Sequence, residues 1–148
     1  FIMSEIVVIA VCRGEPSRSA FDWAVSHFPR DSTVFHLLHV SGDDALSQHI
    51  STPTDQKVHD REAYWARFDV GPYVKEAKDR KLTFDCHVIK EDETRGKVIV
   101  ERASELQATA LVVGSKGRTG LQRLLLGNTS DYCSHHAPCP VVIVRQFY

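Results

Sequence analysis

A chain of 148 residues fits one domain with a full hydrophobic core, here expected to cover residues 1–148. Its 43% hydrophobic and 25% charged residues are ordinary for a globular protein, and no apolar run approaches the ~20 residues that span a bilayer, so no membrane partner is expected. The formal net charge of −1 supplies no global field to draw in nucleic acid, so none is expected as a partner.

Phe1 and Ile2 precede a plausible initiator, Met3, and are read as an appended remnant. No signal-peptide pattern follows them. Ile6 to Val11 is an unbroken apolar run rich in β-branched residues, as expected of a strand covered on both faces. Cys12 to Ser17 reads as a turn, with a helix starting between Pro16 and Ser19. Ala20, Phe21, Ala24, Val25 and Phe28 give that helix an inward face, and Pro29 ends it. Thr33 to Val40 is the second strand. Residues 41–56 are polar and turn-rich, a long loop beside the expected site. A second helix is expected from near Lys57 to Lys81, kinked or broken at Gly71-Pro72, with Tyr64, Phe68, Tyr73, Val74 and Ala77 inward. Thr83 to Lys90 is the third strand and Glu91 to Arg95 a charged connection. Gly96 to Ala108 is the third helix, with Ile99, Ala103 and Leu106 inward.

Ala110 to Val113 is the fourth strand. It runs into Gly114 to Ser130, GSKGRTGLQRLLLGNTS, with glycines at 114, 117, 120 and 127. A short helical turn is expected at Leu121, Leu124 and Leu125. Asn128 is expected to cap a final helix reaching about His136, which Pro138 and Pro140 stop. Val141 to Val144 is the fifth strand. Strands alternating with helices predict a doubly wound α/β layer, whose ligands sit beyond the strands' carboxyl ends where the winding reverses. Glycines that admit a close ligand, a helix start with free N–H groups, and the cations Lys116, Arg118 and Arg123 together make a phosphate cradle. The plainer alternative is a glycine-rich surface loop with solvated cations. It is no Walker loop, because no glycine precedes a Lys-Ser or Lys-Thr pair at the required distance.

The spacing Gly114-x2-Gly117-x9-Gly127 resembles that of the nucleotide-binding universal stress proteins, and Asp131 to Arg145 is similar to their plant-type members. The resemblance runs from Glu5 to Arg145. It implies a single five-stranded parallel sheet of the universal stress protein and adenine nucleotide α-hydrolase type, in the order 3-2-1-4-5. It also implies a site for ATP, ADP or AMP in a regulatory protein of the stress response. There, Ala10 and Val11 wall the base, and the main chain of Val40 pairs with it. Gly114, Ser115, Lys116, Gly117, Arg118, Gly127, Asn128, Thr129 and Ser130 hold the phosphates, with magnesium brought by the polyphosphate. Members of the family commonly dimerise through the fifth strand, here Val141 to Val144, and an apolar edge strand invites such pairing.

Two positions depart from the pattern. Asn128 stands where Ser or Thr is usual, and its amide can still donate to a phosphate oxygen. Cys12 stands where an acidic residue usually helps place the nucleoside. Loss of one charge-assisted hydrogen bond costs roughly 1.5–3 kcal/mol, or about 10- to 150-fold in affinity. These departures support an alternative, a dimeric interaction module with a weakened nucleotide site. An ATP-hydrolysing enzyme is the weakest reading, since no positioned general base is found, and no catalytic residue is assigned.

The four cysteines, at 12, 86, 133 and 139, lack the density of a disulfide framework and are read as reduced thiols in the cytosol or nucleus. Cys12 beside Arg13 has the setting of a redox thiol, with a plain half-buried cysteine as the default. Cys133, His135, His136 and Cys139 lie close in sequence but lack the paired Cys-x2-Cys of a structural zinc site, so no metal ligands are assigned. His36 and His39 fall on opposite faces of the second strand and are expected as separate packed histidines.

Overall fold

In the computed structural model the apolar runs around Val7 to Ile9 and Ala110 to Val113 become strands buried on both faces. The structure describes residues 4–11, 15–41, 65–66, 68–90, 94–116 and 127–146. The elements are β1 (Glu5–Ala10), α1 (Glu15–His27), a 3-10 turn (Arg30–Ser32), β2 (Thr33–Ser41), α2 (Gly71–Asp79), β3 (Phe84–Lys90), α3 (Arg95–Glu105), β4 (Ala110–Lys116), α4 (Asn128–His136) and β5 (Val141–Gln146). The five strands form one parallel sheet in the order β3-β2-β1-β4-β5, as expected. The winding reverses between β1 and β4.

Strand alternation divides the apolar residues between two cores. Val7, Ile9, Phe35, Leu37 and Val112 face α1 and α2, where Ala20, Phe21, Ala24, Tyr73, Val74 and Ala77 meet them. Val8, Leu38, Val40, Leu111 and Val113 face α3 and α4, against Val98, Ile99 and Cys133. Arg18 ties α1 to α2. Its Nη2 donates to Glu76 Oε1 at 2.7 Å, and its guanidinium lies 5.6 Å from the ring centroids of both Phe21 and Tyr73.

The ends of α2, α3 and β4 differ from the sequence expectation, at Asp79, Glu105 and Lys116 in place of Lys81, Ala108 and Val113. The expected interruption at Gly71-Pro72 is a break: α2 opens there, with Pro72 in the first turn, where its missing N–H costs nothing. β4 runs on through Gly114, Ser115 and Lys116, which pair with Val144, Arg145 and Gln146 of β5, so the glycine loop starts three residues later than expected. The helices α2 and α3 end without glycine. Lys81 (φ 58°) and Gln107 (φ 53°) take the left-handed turn instead. The expected turn at 12–14, the loop at 42–56, the segment at 57–64, the connection at 91–93 and the short helix at 121–125 lie outside the described residues.

Candidate functional site

A cleft of about 220 Å3 opens at the carboxyl ends of β1 and β4. Ala10 and Val11 form one wall, with Leu38 and Val40 of β2 beside them. The backbone there is fixed from two sides. Val11 N donates to Leu38 O at 2.8 Å, and Val11 O accepts from Nδ1 of the buried His39 at 2.9 Å. The opposite wall is Val113, Gly114 and Ser115 of β4. Gly127, Asn128, Thr129 and Ser130 close the far side.

Nine of the thirteen residues assigned from sequence thus border one cleft: Ala10, Val11, Val40, Gly114, Ser115, Gly127, Asn128, Thr129 and Ser130. Lys116 is the last residue of β4. Cys12, Gly117 and Arg118 lie outside the described residues, as does Arg123.

Three helices begin at this cleft. Pro16 and Ser17 belong to the first turn of α1, Arg95 is the first residue of α3, and Asn128 is the first residue of α4. The opening N–H groups of a helix have no partner within it, and the aligned peptide dipoles leave partial positive charge there. Three such ends around one cavity suit an anion. Sequence reading missed Pro16, Ser17, Leu38, Arg95, Ile99 and Val113 as lining residues. Strand parity pointed to Leu38, two residues before Val40 on the same face. Arg95 gave no such signal, because only the crossing of α3 over the sheet brings it back to the β1–β4 crevice.

Two glycines have different work. A side chain at Gly114 would meet Pro16 O at 2.0 Å, so β4 and the start of α1 touch backbone to backbone. At Gly127 the nearest atom to an added Cβ is Ser130 Oγ, at an ordinary 3.7 Å. The expected cap role of Asn128 is corrected. Gly127 occupies the cap position in an extended conformation (φ −67°, ψ 161°), and its carbonyl accepts the first helical bond from Asp131 N at 2.9 Å. Ser130 Oγ donates to the same carbonyl at 3.1 Å. Asn128 is exposed on the cleft, with no capping bond from its side chain.

Burial pushes the Cys133 thiol up to about 11 and raises that of Cys139 as well. Among the described residues, Cys133, His135, His136 and Cys139 do not bring three ligand atoms together.

The sequence profile of the universal stress protein family matches residues 3–145. Universal stress protein PHOS32 of Arabidopsis thaliana is 31% identical over 93% of this chain and 63% of its own length. The chain spans about three fifths of the length of the curated relatives it matches. Among solved structures, a universal stress protein family protein from Arabidopsis thaliana with AMP bound superposes with a TM-score of 0.66 at 19% identity, covering 97% of this chain and 92% of that one. The universal stress protein from Archaeoglobus fulgidus in complex with dAMP gives 0.62 at 17% identity, covering 97% and 99%. At those identities the structures share the fold, while the profile carries the kinship: this chain belongs to the universal stress protein family.

Proposed function

We propose that this chain is an adenine-nucleotide-binding regulatory protein of the stress response, with its ligand in the cleft between β1 and β4. The observation that carries the proposal is the convergence of three helix starts on a crevice whose base-side wall is apolar. The phosphates would lie against the first-turn N–H groups of α4, from Asn128 to Ser130, with Gly114 and Ser115 beneath them. Lys116, Gly117 and Arg118 would complete the cradle. The base would lie along Ala10 and Val11, with its edge toward the main chain of Val40. Arg95, at the start of α3, adds a cation that the family pattern did not point to.

The ligand is ATP, ADP or AMP, and magnesium would enter with the polyphosphate. The protein would work as one domain in the cytosol or nucleus, as a homodimer joined along β5, the open edge next to β4.

Thermal shift with AMP or with ATP and magnesium tests the site. A ligand at 100 times its Kd stabilises the folded state by about 2.7 kcal/mol, worth about 5–11 °C in a chain of this size. Cys12→Asp should enlarge the shift by restoring a charged acceptor for the nucleoside. Amide NMR signals of Gly117 and Gly127 to Thr129 unmoved by millimolar ATP would end the proposal.

A further inference from the structure

Away from the cleft, three metal-ligand side chains meet on one face of the β2–β3 ladder. His36 stands in register with Asp85, and Leu38 with His87, so the three share the face that also carries Val8. Each side chain is half-buried, and one ligand atom from each lies within 4.8 Å of the others. The sequence separates His36 from His87 by 51 residues, and only strand pairing brings them together.

We propose that His36, Asp85 and His87 form a binding site for a borderline first-row divalent cation, with zinc as the reference ion. The donor set of two imidazoles and one carboxylate is one that zinc takes, leaving a fourth position for water. The distances are close to what such an ion needs. His36 Nδ1 and His87 Nε2 are 2.9 Å apart, and His87 Nε2 is 3.9 Å from Asp85 Oδ2. Ligand atoms about 2.1 Å from a common ion stand about 3 Å apart at a right angle and about 3.4 Å apart at the tetrahedral angle. The nitrogens must therefore open slightly and the carboxylate close by about half an ångström.

Without a cation the two nitrogens share one proton, and the rings meet nearly coplanar, 22° apart. A cation would take that proton's place. Both rings then carry their proton on the far nitrogen, His36 on Nε2 and His87 on Nδ1, and turn so that their lone pairs converge. This is a change of tautomer in one neutral imidazole, with no net gain or loss of protons. Asp85 is already oriented for the task. Its Oδ1 accepts from Cys86 N at 2.8 Å, which steadies the carboxylate while Oδ2 lies toward His87.

The test uses the full chain, stripped of metal with chelator and free of nucleotide, titrated calorimetrically with zinc chloride. The expected result is one site whose affinity falls roughly tenfold or more in His87→Gln and in Asp85→Asn. His136→Ala and Cys139→Ser should leave it unchanged. Two-dimensional nitrogen NMR of the wild-type histidines should show His36 and His87 moving together to the tautomers named above. Absence of binding heat, binding within twofold of wild type in a folded His87→Gln, or unmoved His36 and His87 nitrogens would overturn the site. The pair would then be a hydrogen bond alone.

Discussion

Replacing Gly114 with alanine tests whether this motif glycine serves the ligand or the fold. The new Cβ would lie 2.0 Å from Pro16 O, 2.4 Å from its carbonyl carbon and 3.0 Å from its Cα, all backbone atoms. Real Cβ atoms essentially never come within 3.0 Å, so the start of α1 must retreat from β4 by about 1 Å. No flexible side chain can yield in its place. Overpacking usually costs 1–3 kcal/mol, and a backbone-to-backbone clash belongs at or above the top of that range, about 3 kcal/mol. For a chain of this length that lowers Tm by about 6–12 °C. Urea unfolding followed by circular dichroism should show a lower midpoint with an unchanged slope. Gly127→Ala is the control. Its Cβ has room and its φ suits alanine, so its cost is that of a poorer cap, below about 1 kcal/mol. Equal midpoints for Gly114→Ala and wild type, or a greater loss in Gly127→Ala, would refute the assignment of Gly114 to packing.

The Arg18 hydrogen bond holds the Glu76 carboxyl below its usual pKa. A depressed carboxyl stabilises the fold above its unfolded pKa, and the contribution disappears as pH falls through the lower folded value. Glu76→Gln should thus cost about 1 kcal/mol at pH 7, a modest figure because the Arg18 side chain is 37% exposed. Wild type and variant should converge in urea titrations as pH falls through the lowered folded value, below the ordinary carboxylate range. Lys81→Gly should stabilise the protein by about 1 kcal/mol in the same assay, since Lys81 holds a left-handed φ of 58° and is exposed. Ser130→Ala should cost about 1 kcal/mol through loss of the part-buried bond to Gly127 O.

Strand identity was legible because both cores write themselves into the strands, whereas the sheet order came only from the family resemblance. Val7, Val8 and Ile9 are wholly buried on alternating faces, which forces the unbroken run seen in the sequence. The site was legible where it coincides with strand ends and the last helix start. It was obscure where a role depends on a neighbour far along the chain. Gly114 borders the cleft, but its packing against Pro16, about a hundred residues earlier, is invisible to spacing. Asn128 looked like a cap because the cap rule favours its side chain, whereas the backbone of Gly127 fills that place unaided. His36 was set beside His39 and correctly separated from it by strand parity, but its partner His87 lies on another strand. The end of β4 was placed early because glycine, serine and lysine have weak strand propensity. Pairing with β5 overrides it.

The two bonds that hold Val11, one through its nitrogen to Leu38 and one through its oxygen to His39, moor the main chain immediately ahead of residue 12. An exchange at residue 12 therefore starts from an anchored peptide. Whatever changes between thiol and carboxylate variants will reflect the side-chain group itself, since the approach to it does not drift. Cutting the mooring with His39→Phe would remove that guarantee, and the paired comparison would then measure slack as well as chemistry.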